Sequence, residues 1–416
     1  MKKLLSLAAL AAFTSVSFGD AFCVSTNQPA GSGNWNSASF FTSNMGGYLN
    51  PGNTGSGNKN PIESCGFYWK NPSGRNAERS ALTDSNCALT GEGTNFLRDD
   101  WVTAWNNFEL GSPIFKTRID YRLRPSSTTS AVWFLDWSVQ NITEIPRSLN
   151  WYFLGDLCSR LVAFGSNNLD TVSYEGGLTT FLAGGGAPTI YLASSRPVDE
   201  FEVSKQTTGS APDCRLKMQN GLTADTLANN VVGSGVGNWA SAYGYVLEMA
   251  PGGIETGSIA IGINQVPVFL KGTIDLGPLS PDATYPIPVT VEIRNVGSTT
   301  AIETGTAYVY QTNSYVYGTS LPAGTYDIAF KGSHWLRSVT PSVAIPIGGE
   351  ATADATLING SVDGNNIVNT DDYLILSDHF DEIVPEGTLG DLDHNTVITT
   401  DDYLILSDNF DLVGAD

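Results

Sequence analysis

The plainest chemistry in this chain belongs to a set of oxygen donors held at fixed spacing. Asp391, Asp393 and Asn395 stand at alternate positions, followed by Val397, Thr399 and Asp402. Alternate residues of a tight loop can turn their oxygens inward, a backbone carbonyl at the seventh position adds one more, and an acid at the twelfth closes the sphere. Six to eight oxygens in that order are what a hard cation such as Ca2+ takes. Val397, in seventh place, need lend only its carbonyl, and Ile398 beside it is free to enter a core. Ser361, Asp363, Asn365, Ile367, Asn369 and Asp372 hold the same places thirty residues upstream. This first set lacks the acid at position 1. Two carboxylates remain against three, so the first site is expected to be the weaker. Position 6, where a loop of this kind needs positive φ, is Asn366 in one set and Thr396 in the other. Asn tolerates the left-handed region, and a β-branched Thr does so poorly.

The elements that must position these donors repeat with them. Asp371-Asp372-Tyr373-Leu374-Ile375-Leu376-Ser377-Asp378 returns unchanged as residues 401–408, and the match continues through Phe380/Phe410 and Asp381/Asp411. Self-similarity at a fixed period marks a repeated structural unit. Tyr373 to Phe380 and Tyr403 to Phe410 read as short helices, with Leu376 and Phe380, and Leu406 and Phe410, forming i,i+4 pairs that would pack against the other copy. A ligand loop followed by a helix, twice, without the helix that precedes the loop in a full EF-hand, resembles a dockerin over about 55 residues. That resemblance implies calcium-dependent folding and docking onto a cohesin-like partner or a cell-surface component. It places partner recognition near the start of each helix, at Thr370 and Asp371 and at Thr400 and Asp401. These residues are identical in the two copies, so the resemblance also allows binding in two orientations related by pseudo-symmetry. The competing reading is a duplicated acidic surface that holds no metal.

Upstream, residues 265–358 alternate like a small β-sandwich. Val289, Val291 and Ile293 share one face of a strand, and residues 306–310 and 325–330 read as further strands. Pro322 and Gly324 make a turn in Leu321-Pro322-Ala323-Gly324-Thr325-Tyr326, after which Tyr326, Ile328 and Phe330 alternate onto one face. This stretch is similar to the carboxypeptidase-regulatory-like or starch-binding-like sandwiches. Trp335, beside His334, is read as a core residue in preference to a sugar-stacking one.

Residues 22–264 carry less information. Composition and alternation suggest a large β-sandwich of jelly-roll type with long loops such as Gly46 to Asn60. Residues 131–139 form the best strand, with Trp133, Leu135, Trp137 and Val139 on one face and Val132, Phe134 and Asp136 on the other. Arg118, Arg122 and Arg124 lie on or beside a strand at Phe115 to Leu123 and are expected to face solvent. The three histidines are His334, His379 and His394, so this region has none. A Ser-His-Asp or Cys-His nucleophile system, or a His-ligated catalytic metal, built from this region alone is excluded. A carboxylate pair stays open, from Asp99, Asp100, Asp136, Asp156, Asp199 and Glu200. Trp133 and Trp137 are read as core. Trp101, Trp105 and Trp151 are left between core and a carbohydrate platform, and Trp101 with Trp105 between strand and a short helix.

The chain as a whole is mainly β, built as a large sandwich, a small sandwich and a small α-helical EF-hand-like module at residues 359–416. Lys2 and Lys3 followed by the apolar run Leu4 to Phe13 read as a signal peptide over residues 1–21. Export to the outside or the cell surface follows as an expectation, with no membrane span. Five cysteines then suggest disulfides, with Cys65–Cys87 and Cys158–Cys214 as the pairing. The net charge of -21 offers phosphates no basic footprint and argues against nucleic acid. From Asn359 to Asp416 there are fourteen acids and neither Lys nor Arg. Three function classes are compatible with this: a non-catalytic modular protein whose N-terminal domain binds a carbohydrate or protein, a polysaccharide-degrading glycoside hydrolase, and a structural surface protein. The first is favoured, because no recognisable enzyme motif supports the second.

Overall fold

The computed structural model describes residues 226–416 without a break. Upstream it describes residues 130–157, 170–183 and 189–205, the strands that precede residue 126, and residues 213, 214 and 217. Residues 1–20, most of the expected signal peptide, lie outside them, as do Cys87, Cys158 and Asp99. The chain is mainly β and divides into two compact units, Met1–Asn264 and Gln265–Asp416.

Among the described residues, the first unit holds three-, six- and eight-stranded sheets. Neighbouring strands of the eight-stranded sheet, which include Ser112–Pro125, Ala131–Asn141 and Ile254–Ile263, run antiparallel. It shares a core with the six-stranded sheet, to which Ile62–Lys70, Arg147–Leu157 and Trp239–Met249 belong. Trp133, Leu135, Trp137 and Val139 enter that core together, as their alternation predicts, and Trp151 joins them. Trp137 lies 6.0 Å from Trp151 and 5.5 Å from Tyr245, while Phe67 stacks on Trp151 at 5.3 Å. Large rings filling the space between two sheets are the chief apolar contribution to such a sandwich, and none of these three tryptophans is available as a sugar platform.

Several expectations for this unit give way. Trp101 and Trp105 lie on the strand Asp100–Glu109, in register with Tyr121 and Thr117, and not on a helix. A separation of four residues satisfies a period of 2.0 as well as one of 3.6, and the aromatic and β-branched neighbours favour the strand. Gly46–Pro51 is a strand where a loop was expected. Arg122 and Arg124 are buried and Arg118 is half-buried, where solvent exposure was expected. Opposite charge makes this tolerable. Arg122 donates to Asp136 Oδ2 from Nε at 2.8 Å and from a terminal nitrogen at 2.5 Å, and lies 5.3 Å from the centre of the Phe134 ring. Arg118 Nε donates to Asp120 at 3.1 Å. Cys214 is a buried free thiol, so the expected bond to Cys158 is not formed. Its own N–H donates to Ser204 Oγ at 2.7 Å, and burial pushes the thiol up to about 12.

In the second unit two four-stranded sheets enclose one core. Val268–Asp275 pairs with Ser314–Thr319 on one side and, in parallel, with Gly349–Thr352 and Ala355–Thr356. Ile287–Asn295 and Gly324–Lys331 pair at the centre of the other sheet, flanked by Ala301–Val309 and Ser338–Ile345. Tyr326, Ile328 and Phe330 point into the core together, and the Tyr326 hydroxyl donates back to the Pro322 carbonyl at 3.0 Å, closing the predicted turn. Trp335 is fully buried and donates to the Leu276 carbonyl at 2.8 Å, as a core tryptophan should.

This compact unit runs on past residue 358. Leu336 of the sandwich packs with Val368, Leu376, Val384, Leu392, Ile398 and Leu406 in a second, smaller core. Two helices, Thr370–Asp378 and Thr400–Asp408, each contribute one leucine to it. They begin three residues earlier than the apolar pattern suggests, because Asn369 and Thr399 cap them and Asp372 and Asp402 complete the capping boxes. They also stop sooner. Phe380 and Phe410 fall beyond the last turn and are exposed, so Leu376 and Leu406 pack without the i,i+4 partners expected for them. Among the described residues no helix is long and apolar enough to cross a membrane.

Candidate metal centre

The twelve-residue spacing folds into a loop held by its own candidate ligands. In the second loop Asp402 is fully buried, and its Oδ1 accepts from the Leu392 and Asp393 N–H groups at 2.7 and 3.1 Å. Its Oδ2 accepts from Thr399 N–H at 2.8 Å, so one carboxylate both caps the helix and closes the loop. Asp391, also fully buried, accepts from Asn395 and Thr396 N–H at 3.0 and 3.1 Å. Asp393 accepts from Asn395 N–H, and Asn395 accepts from Val397 N–H. Asp393 and Asn395 are thereby fixed by the backbone two residues on, which is the local bonding that Asp and Asn favour in turns.

Asp391, Asp393 and Asp402 bring carboxylate oxygens within 4.8 Å of one another. Calcium bonds oxygen at about 2.4 Å, so two ligands on opposite sides of one ion stand roughly 4.8 Å apart. The set therefore fits that ion. It is also electrostatically expensive as it stands. Burial, then the neighbouring Asp402 and Asp391, push the Asp393 carboxyl above its ordinary range, against the hydrogen bonds from Asn395. Carboxylates crowded together out of water call for a cation.

The first loop has the same bonds with one exchange of chemistry. Asp372, fully buried, accepts from Asp363 N–H at 3.1 Å and Asn369 N–H at 2.8 Å. Asn365 N–H donates to Asp363, and Ile367 N–H to Asn365. At position 1, the Ser361 hydroxyl does the work of Asp391 and accepts from Asn366 N–H at 3.1 Å. Position 6 is left-handed in both loops, with φ of 76° at Asn366 and 72° at Thr396. Thr396 is thus held where its branched side chain is disfavoured, by its N–H bond to Asp391.

Thr370, Asp371, Thr400 and Asp401 are exposed at the starts of the two helices. Tyr373 and Leu374 beside the first pair, and Tyr403 and Leu404 beside the second, are exposed too, and the two tyrosine rings meet edge to face at 6.1 Å. The elements before and after the loops are tied to the sandwich. His334 stacks on Trp335 at 3.8 Å, and its Nε2 is 3.0 Å from Nε2 of His394, at position 4 of the second loop. Its Nδ1 is 2.7 Å from Asn359 Oδ1. Ser280 N–H donates to the Asp393 carbonyl at 2.7 Å. The sequence pattern marks the candidate ligands but not this anchoring, because His334 and His394 lie sixty residues apart with no pattern linking them.

Of the carboxylates considered for catalysis, Asp136, Asp199 and Glu200 have described side chains, and each is bonded to a protein partner. The side chains of Asp100 and Asp156 lie outside the described residues. Asp199 accepts from Val246 N–H, and Glu200 from Leu227 N–H. Asp136 stands directly across from Asp120, a residue not singled out in the sequence, and each is bonded to an arginine. Burial, with Asp136 adding to it and Arg118 opposing, pushes the Asp120 carboxyl up to about 6.

No protein-family model matches this chain, and no curated protein matches its sequence. Among solved structures, it is similar to an interface mutant of a type II cohesin–X-dockerin complex from Acetivibrio cellulolyticus. That match covers 35% of this chain and 97% of the other, at 19% identity and a TM-score of 0.29. A polysaccharide lyase matches over 70% of this chain and 40% of its own, at 12% identity and a TM-score of 0.24. A heparan sulfate lyase from Pedobacter heparinus matches over 76% and 37%, at 9% identity and a TM-score of 0.26.

Proposed function

We propose that residues 359–416 form a dockerin-type module that binds Ca2+ in its second loop and docks through its helices onto a cohesin-like partner. The convergence of Asp391, Asp393 and Asp402 carries this reading, since two of the three are fully buried and all three are acids. The alternative of a solvated acidic surface requires the opposite placement. Ca2+ would be held by these three carboxylates together with Asn395 and the Val397 carbonyl, and would supply the positive charge that lets the loop close.

The exposed Thr370-Asp371 and Thr400-Asp401 pairs, with the Tyr and Leu that follow each, are the surface that a partner would meet. In this reading the chain is exported, the module attaches it, and the N-terminal sandwich binds a carbohydrate or protein without turning it over. The test is capture of the full chain on an immobilised cohesin domain in calcium and in EGTA. Capture in calcium that is lost in EGTA, and lost when both Asp371 and Asp401 become Lys, supports the reading. Equal capture in EGTA, or none in either, removes the docking role.

A further inference from the structure

The two loops close by different chemistry, and the difference continues into their surroundings. In the second loop, position 1 is a carboxylate. In the first it is Ser361, fully buried, whose neutral hydroxyl takes the same backbone donor. The first loop lies along residues 331–337 of the sandwich. Gly360 and Ser361 N–H groups both donate to the His334 carbonyl, at 3.0 and 2.9 Å. Gly364 has φ of 75°, with the Ser333 carbonyl oxygen 3.2 Å from where a Cβ would stand, so only a residue without one fits well. Asn366 Oδ1 accepts from Arg337 N–H at 2.6 Å, and its carbonyl accepts from Gly414 N–H at 2.9 Å. Asn366 Nδ2 donates to the Ala415 carbonyl at 3.0 Å.

Into this same segment the sandwich sends a cation. Lys331 is half-buried and donates to the Gly332 carbonyl at 3.0 Å and to the Trp335 carbonyl at 2.5 Å, so its ammonium is fixed in place. Burial lowers its pKa and Arg337 lowers it further, while Asp363 and Asp372 act in the opposite sense. Those two are the whole carboxylate complement of the first loop. The first loop is thus already closed by Ser361 and pinned to the segment in which the Lys331 ammonium is bonded to the Trp335 carbonyl. The second loop meets the sandwich instead through Ser280 and His334.

We propose that the first loop is a metal-free copy, closed by the neutral Ser361 hydroxyl where the second loop has an acid, and that the chain carries one calcium ion, in the second loop. This rests on the calcium reading of the second loop and divides the module into a constitutive half and a calcium-ordered half. Ligand charge sets calcium affinity over several decades. A loop with one carboxylate fewer, and an ammonium in the segment it is bonded to, should bind at least about 100-fold more weakly.

The experiment counts calcium ions on the full chain by native mass spectrometry across free calcium from 1 µM to 1 mM, with hydrogen exchange of the two loop–helix segments in EGTA. The expected count is one, falling to none in Asp391→Asn and unchanged in Asp363→Asn. Ser361→Asp combined with Lys331→Met should bring it to two, and Ser361→Asp alone should give a second site about tenfold weaker than the pair does. In EGTA, residues 391–406 should exchange at least about 100-fold faster than residues 361–376. Should the double variant fail to fold, Asp363→Asn and the exchange contrast still decide. Two ions on the natural chain with affinities within tenfold, or equal exchange of the halves in EGTA, overturn the proposal and leave the function standing. No ion at 1 mM overturns both.

Discussion

Asp393 and Asp402 should respond differently to the same substitution, because the structure gives them different work. Asp402 is fully buried and accepts three backbone N–H groups, two on Oδ1 and one on Oδ2. Asn in its place has one acceptor oxygen. If that oxygen keeps the two loop donors, the new NH2 confronts Thr399 N–H, leaving that part-buried donor unmet and one of the two capping-box bonds lost. An unmet donor costs about 1–3 kcal/mol, so Asp402→Asn should destabilise the calcium-free second half by roughly 1–3 kcal/mol. Asp393 is half-buried, and its framework bonds come only from Asn395. Its carboxyl is pushed up by burial and by its neighbours, so Asp393→Asn removes a repulsion and should change calcium-free stability by no more than about 1 kcal/mol in either direction. Both variants should lose most of the stabilisation that calcium confers, about 2.7 kcal/mol when free calcium is a hundredfold above Kd. Hydrogen exchange of residues 391–408 in EGTA and in calcium reads both quantities. If Asp393→Asn keeps the full calcium effect, Asp393 is not a ligand and the reasoning fails.

Two further predictions concern the sandwiches. Asp136→Asn removes the carboxylate to which buried Arg122 donates twice and should cost about 3 kcal/mol, whereas Asp120→Asn, replacing a carboxyl that ionises only near 6, should be neutral or stabilising at pH 7. Denaturant unfolding followed by the fluorescence of core tryptophans compares them, and the reverse order would refute the assignment. Burial pushes His334 down to about 3, so the folded state keeps the ring neutral while the unfolded chain takes a proton below about 6.5. Stability from this residue is therefore present above pH 6.5 and lost as pH falls, by about 2 kcal/mol at pH 5, and the slope between pH 7 and 5 should flatten in His334→Gln.

How much of this could be read beforehand depends on how local the cause is. The convergence of Asp391, Asp393 and Asp402 is legible because position in a twelve-residue loop fixes both residue type and direction. The strands were legible wherever one face alternates cleanly, as at Trp133, Leu135 and Trp137. Alternation failed for Arg122 because burial of both faces of its strand is not written in the strand itself, and the partner that permits it, Asp136, is brought across by sheet register. The pairing of His334 with His394, and the bonds from Gly360 and Ser361 to the His334 carbonyl, depend on how the module lies on the sandwich. No spacing announces that. The helices start before the apolar pattern does because Asp372 and Asp402, spaced as candidate ligands, are also the third residues of capping boxes and draw each helix back to Thr370 and Thr400.

The central claim is that the second loop binds calcium through its convergent carboxylates. Isothermal titration of calcium into the EGTA-stripped full chain, beside Asp391→Asn, tests it most directly. The natural chain should show saturable binding in the range of about 1 µM or tighter, and the variant none below about 1 mM. Equal binding by both proteins, or no binding by either, would contradict it.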